Sequence, residues 1–309
     1  MGANVSVDAT VSPRSFSPAA GGAAAGETEG GDRMSAQAPM MGRTVLVTGS
    51  TDGIGRQTAV ELAALGADVL VHGRDARRGA AVLAAVRAAS AGGCAALYLA
   101  DLSTRAGVRD LAARVRGDHA RLDVLVNNAG VYSRERRVTG DGLELTFAVN
   151  VLAPFVLAGE LLPLLRAAAP ARIVNLSSAS HWTGEMRWVD LQSAAGYDGV
   201  AAYDQSKLAM TLLTFALARR LAGSGVTAVC LDPGDVDTKM LRAGWPELPG
   251  IDIDAGAATS VFLASSADVA GVSGVYYEGG RETAPLEASL ERGSQARLWG
   301  ILKGFAGLE

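Results

Sequence analysis

The sequence predicts an α/β protein, a single domain built on a doubly wound parallel sheet with helices on both faces. Three observations predict it. From residue 43 onward, short β-branched runs alternate with longer stretches whose apolar residues recur at helical spacing. The strand-like runs are continuously apolar, as expected where both faces of a sheet are covered. Glycine and polar clusters fall where these runs end, which is where an open α/β sheet binds its ligand.

The elements follow in order. RTVLVTG, from Arg43, reads as a first strand, and GIGRQTAVELAALG as a first helix stopped at Gly66. ADVLVHG is a second strand and ARRGAAVLAAVRAAS a second helix. CAALYLAD is a third strand, followed by a helix through about Arg116. LDVLVNNAG is a fourth strand, and a long helix around Asn150 is expected from about Gly142 to Ala168. ARIVNLSS is a fifth strand, Ala201 to Ala222 a long helix and VTAVCLDPG a sixth strand. One more helix within Ala255 to Ala264 and one more strand in GVYYEGG complete the pattern. No repeat and no linker interrupts residues 43–309, so one domain suffices.

Residues 1–42 differ in kind. They are rich in Ala, Gly, Ser and Pro without a sustained apolar period, a composition that predicts a disordered tail. The tail has neither the basic start nor the continuous apolar stretch of a signal peptide. No run of about 18 apolar residues is seen, so no membrane span is expected. The net charge of −4 and the lack of a basic stripe exclude an electrostatic case for nucleic acid. Cys94 and Cys230 each sit in an apolar run and read as small core residues. His72, His119 and His181 lie too far apart for metal-ligand spacing, so no metal is expected. Together these point to a cytoplasmic, enzyme-sized globule.

VTGSTDGIG, Val47 to Gly55, joins the first strand to the first helix. Gly49, Gly53 and Gly55 allow tight turning and close backbone approach to a pyrophosphate at a helix N-terminus. The second strand ends His72-Gly73-Arg74-Asp75. In this fold an acidic residue there binds a ribose 2′-hydroxyl, whereas arginine accepts a 2′-phosphate. Gly73 stands at the acid position and Arg74 follows, which favours NADP(H), with NAD(H) the alternative. Asp75 reads as the next helix's N-cap, and Arg56 as a second cation. Finally, AAYDQSKLAM places Tyr203 and Lys207 one helical turn apart. Such a pair is ordinarily a surface feature and becomes chemistry only where the chain builds a site around it.

These motifs arrive in one order: TGSTDGIG, Asp101-Leu102, NNAG at 127–130, Asn150, Ser178, Tyr203 and Lys207, then DPGDVDT at 232–238. In that order the chain resembles the short-chain dehydrogenase/reductase family from about Arg43 to its end, and with it a Rossmann-type fold. SSASHWTGEMRWVDLQ, AAYDQSKLAMTLLTFALARRLAGSGVTAV and RLWGILKGFAGL are similar to the retinol-dehydrogenase-like branch. The resemblance implies the activity class. Retinoid specificity is not carried over, because aromatics are few and no N-terminal anchor of the kind those relatives carry is expected.

The resemblance implies that Tyr203 exchanges a proton with a carbonyl or alcohol oxygen while Lys207 lowers its pKa and binds the nicotinamide ribose. Ser178, rather than the neighbouring Ser177, would hold the substrate oxygen. Asn150 would bend its helix and hold a water linking Lys207 to solvent. Gly49, Ser50, Thr51, Gly53, Ile54, Gly55 and Arg74 would bind the cofactor's phosphates and adenosine. Asp101, Leu102, Asn128, Ala129 and Gly130 would line the adenosine side, and Pro233, Gly234, Val236 and Thr238 the nicotinamide and pyrophosphate.

Substrate contacts are expected from His181 and Trp182, and from Met240 and Trp245 in a lid at about 235–252. The alternative for these aromatics is plain packing. An apolar carbonyl or alcohol is the expected substrate. The run RERR at 134–137 reads as a solvated loop. The helix from Ala201 to Ala222 is apolar around most of its circumference, which favours a homodimer. A dinucleotide-binding sensor without turnover is the competing reading, and it has no need of Tyr203. An epimerase or dehydratase is disfavoured by NNAG and the glycine spacing.

Overall fold

Val45, Leu46 and Val47 have no solvent exposure and lie mid-sheet, because the strand they form is flanked on both edges and covered on both faces. A computed structural model describes residues 38–308. Its strands are β1 (Thr44–Val47), β2 (Asp68–Gly73), β3 (Ala95–Leu99), β4 (Val124–Asn127), β5 (Ala171–Leu176), β6 (Val226–Asp232), β7 (Tyr276–Glu278) and β8 (Arg281–Thr283). Their order is β3-β2-β1-β4-β5-β6-β7-β8, parallel except for the last pair. The strand order reverses between β1 and β4, so a crevice opens beyond their carboxyl ends. Register carries this along the sheet: Val47 pairs with both Val71 and Val126, and Asn175 with both Asn127 and Cys230.

Helices α1 (Gly53–Ala64), α2 (Ala76–Ala89) and α8 (Ile253–Ser265) pack on one face. α3 (Arg105–Asp118), α5 (Ala153–Ala167), α6 (Gly199–Arg220) and α9 (Arg292–Ala306) pack on the other. Short polar caps set several starts: Asp75 accepts from the Arg78 amide at 2.8 Å, and Asp198 from the Ala201 amide at 2.8 Å. Between α4 (Leu145–Phe147) and α5, residues Ala148–Leu152 form a wide π-helical turn centred on Asn150. α7 (Lys239–Gly244) lies in the expected lid.

Four features depart from the sequence expectations. The helical run Leu145–Ala167 is long and apolar enough to cross a membrane, with a mean hydropathy of 1.8, although none was expected; 78% of that window is buried in this fold. Residues 38–42, expected to belong to the tail, pack on the fold: Met40 is buried and its amide donates to the Leu65 carbonyl at 2.9 Å, while residues 1–37 lie outside the described part. Cys94 is exposed, because its apolar run begins only after it, whereas Cys230 is buried as expected. β8 pairs with β7 across Gly279-Gly280, both at positive φ, a turn that only glycine takes readily.

The apolar circumference of α6 is explained within the chain. Every residue from Ala202 to Thr214 is buried. α9, which the sequence reading did not assign, closes over α5 and α6. Trp299 meets the edge of Phe155 at 5.0 Å and lies under the Arg220 guanidinium at 4.2 Å, and Phe305 meets Phe147 at 5.7 Å.

Candidate active site

A cavity of about 590 Å³ opens at the carboxyl ends of the strands. Gly49 has φ +63°, and a Cβ there would stand 2.8 Å from the Ala129 Cα. At Gly55 a Cβ would meet Asn128 Nδ2 at 2.2 Å and the Gly49 carbonyl at 2.7 Å. These positions must be glycine for the turn to close on the fourth strand. Asn128 Nδ2 in turn donates to the Thr48 carbonyl at 2.8 Å, stitching the β4 loop to the glycine turn. The result is a bare-backbone cradle at the start of α1, suited to a pyrophosphate.

His72, absent from the expected site, holds the cradle from behind. Its Nδ1 accepts from the Gly49 amide at 3.0 Å, which leaves Nε2 to donate to the Ala100 carbonyl at 3.2 Å. Burial pulls its pKa down to about 4, so the ring is neutral. Ser50 is fully buried and does not line the cavity; its hydroxyl accepts from the His72 amide at 2.9 Å. It therefore braces β2, contrary to its expected place on the cofactor. Gly49, Thr51, Gly53, Ile54, Gly55, Arg74, Asp101, Leu102, Asn128, Ala129 and Gly130 do line the cavity. Arg56 points outward from α1 and does not.

The same cavity is lined by Ser178, Tyr203, Lys207, Pro233, Gly234, Val236 and Thr238. Lys207 Nζ lies 5.4 Å over the Tyr203 ring and donates to the Leu176 carbonyl at 2.9 Å. Burial draws the ammonium's pKa down to about 8, opposed by the Asp232 carboxylate. Burial raises the Tyr203 phenol, Asp232 adds to the rise, and the Ser178 hydroxyl opposes it. The expected lowering of Tyr203 by Lys207 is not found: desolvation sets the direction, and the one opposing influence is the Ser178 hydroxyl.

Ser177 and Ser178 separate cleanly. Ser177 turns inward and donates to the Lys207 carbonyl at 3.1 Å, while Ser178 stands beside the phenol. The Asn150 side chain accepts from the Val131 amide at 2.8 Å and donates at 3.0 Å to both the Val131 carbonyl and Ser206 Oγ. Both its amide hydrogens are committed, so the side chain ties the β4 loop to α6.

The substrate side differs from expectation at two positions. His181 is fully buried: its Nδ1 donates to the Ser178 carbonyl at 2.8 Å and its Nε2 accepts from the Leu286 amide at 3.2 Å. Trp182 is 45% exposed, beside His181, and neither lines the cavity. Packing won there. Met240 and Trp245 do face the site. The Tyr203 hydroxyl donates to Met240 Sδ at 3.4 Å, and Trp245 stands 5.2 Å from both Tyr203 and Tyr132. Tyr132 was missed because a lone tyrosine in a loop carries no periodic signal. The RERR run is more than a solvated loop: Arg134 Nε donates to the Ala243 carbonyl at 2.9 Å, fastening the lid.

Comparison with known proteins agrees with this geometry. A family model described as short chain dehydrogenase matches residues 43–248. Human (Homo sapiens) retinol dehydrogenase 13 is 36% identical over 295 residues, spanning 88% of this chain and 87% of that protein. Mouse (Mus musculus) polyprenol dehydrogenase is 39% identical over 277 residues, spanning 84% and 83%. The Pseudomonas aeruginosa RhlG/NADP active-site complex superposes with a TM-score of 0.65 at 31% identity, covering 78% of this chain and 96% of that one. With its glycine cradle and its tyrosine–lysine pair facing one crevice, the chain belongs to the short chain dehydrogenase family, in its retinol-dehydrogenase-like branch, and is an NAD(P)-dependent oxidoreductase.

Proposed function

We propose that this enzyme prefers NADP(H) and interconverts an apolar alcohol with its aldehyde or ketone, using Tyr203 as proton donor and acceptor. The observation that carries the chemistry is that Ser178, Tyr203 and Lys207 line the same cavity as the glycine cradle. When bound, the nicotinamide supplies or accepts the hydride. The chain's own residues handle the proton. In reduction the Tyr203 hydroxyl gives its proton to the substrate oxygen as the carbonyl carbon gains hydride; in oxidation it takes the proton back. Lys207 favours the phenolate left behind, Ser178 donates to the same substrate oxygen, and Asn150 keeps the β4 loop in register with α6.

Cofactor preference rests on the end of β2. A Cβ on Gly73 would meet Thr51 Cγ2 at 2.3 Å, so an acidic side chain for a 2′-hydroxyl does not fit as the chain is built. Arg74 beside it, 4.0 Å from Asp101, is 65% exposed and free to reach a 2′-phosphate. The apolar substrate rests on Met240, Leu241 and Trp245 at the mouth. A homodimer and a cytoplasmic location are proposed alongside. The dimer no longer draws on α6, whose outer face α9 covers, and a clean monomer in sedimentation equilibrium would overturn it. Cell fractionation reads the location.

The test is turnover of apolar aldehydes and ketones with NADPH and NADH, with Tyr203→Phe in parallel. Turnover that vanishes in the variant while NADPH still binds supports the reading. Tighter binding of NADH than NADPH sinks the preference, and undiminished turnover in the variant sinks the proton donor.

A further inference from the structure

Tyr203 is buried, and its hydroxyl finds its partner on the lid: it donates to Met240 Sδ at 3.4 Å. Met240 is the second residue of α7, and its side chain reaches across the crevice. A Cβ on Gly130, in the loop after β4, would stand 3.8 Å from the Met240 methyl carbon. The thioether therefore lies between that loop and the phenol. A substrate oxygen that takes a proton from Tyr203 has to stand where the sulfur stands.

We propose that Met240 is a gate: its thioether holds the substrate oxygen's place on the Tyr203 hydroxyl and swings aside when a substrate enters. The proposal rests on the oxidoreductase reading of this site and names the residue that decides which molecules reach the phenol.

The lid backbone is fastened on several sides, which assigns the movement to the side chain. Thr238 Oγ1 accepts from the Leu241 amide at 3.3 Å at the start of α7, and Leu241 itself is buried. Arg134 Nε holds the Ala243 carbonyl at 2.9 Å, and Arg242 donates to the Leu248 and Pro249 carbonyls, each at 2.8 Å. Lys239 pairs with Asp52 beside the glycine cradle. Among the described residues the Met240 side chain accepts one hydrogen bond, from the phenol. Unbranched and flexible, it can leave without unwinding the helix that carries it.

The exchange favours guests that bring an oxygen. A buried hydroxyl left without a partner is costly, and the thioether, a weak acceptor, meets that need until a better one arrives. A carbonyl oxygen restores the contact it displaces. An apolar molecule with no acceptor pushes the sulfur away and leaves the phenol unpaired. The gate thus selects an oxygen on an apolar body before any chemistry takes place.

The probe is hexanamide, whose carbonyl accepts a hydrogen bond but is not reduced by hydride from NADPH. It is titrated calorimetrically into the full chain, with and without NADPH. A residue that only lines the pocket loses apolar contact when truncated, so Met240→Ala would then bind the probe more weakly. A residue that occupies the oxygen's place gives the opposite sign. Met240→Ala is expected to bind hexanamide at least about threefold more tightly than wild type. Met240→Val, too short to reach the phenol, serves if the alanine variant does not fold. In the kinetic arm the KM for hexanal should fall in the same proportion. Equal or weaker binding in the variant, or no measurable binding to either chain, overturns the proposal. If the probe binds more tightly as expected while no aldehyde or ketone turns over, the gate stands and the oxidoreductase reading of this site fails.

Discussion

The Gly49 amide donates to Nδ1 of His72 at 3.0 Å, joining the glycine turn after β1 to the end of β2. The bond requires an unprotonated Nδ1, and the Ala100 carbonyl takes the proton on the other nitrogen. The cofactor cradle is thus held by a neutral histidine with no exposure to spare for a charge.

Acid should loosen this contact before the rest of the fold. The His72 pKa is pulled from 6.5 to about 4 by burial. Between those values the unfolded chain binds a proton that the folded chain refuses, so stability is full above about pH 6.5 and falls as pH drops towards 4. The loss amounts to roughly 3 kcal/mol by linkage. Urea midpoints measured from pH 7 to 4 should fall more steeply in wild type than in His72→Gln.

Lys207 is expected to be a stability cost kept for function. Its pKa is lowered to about 8 by burial, so the folded state gives up the proton more readily than the unfolded chain. Stability should therefore rise with pH between about 8 and 10.5. Lys207→Met should raise the melting temperature at pH 7, by the equivalent of about 1 to 3 kcal/mol, while abolishing turnover. A lower melting temperature would show that the bond to the Leu176 carbonyl outweighs desolvation.

Gly55→Ala should damage cofactor binding more than folding. Its Cβ would press on Asn128 Nδ2 and the Gly49 carbonyl, so the cradle must open. NADPH affinity should drop by about tenfold or more, the equivalent of at least about 1.4 kcal/mol. Titration calorimetry at fixed salt reads this directly. Gly117→Ala, where a Cβ meets nothing, is the control.

Leu302 in α9 is fully buried beneath the cover over α5 and α6. Leu302→Ala should cost about 2 to 5 kcal/mol. Because α9 contributes no residue to the cavity, kcat of the folded fraction should stay unchanged. A kcat that falls in step with stability would mean that α9 positions α6 for chemistry.

Much of this molecule is written in local periodicity. The β1 to β7 runs, the glycine turn and the Tyr203–Lys207 spacing each depend on residues a few positions apart, which φ/ψ preferences and helical geometry determine without the rest of the chain. What the tertiary structure decided depends on residues far apart in sequence. His181 and Ser50 carry polar groups that read as ligand contacts, yet each meets a backbone partner from another segment and is buried. His72 meets Gly49 only because β2 lies beside β1. The apolar α6 reads as a surface in search of a partner until α9, about eighty residues further on, folds back over it. Burial, and the partner each polar group finds there, is a property of packing. Local sequence pattern names the groups that can do chemistry; only the packed fold separates those that face the crevice from those that hold it open.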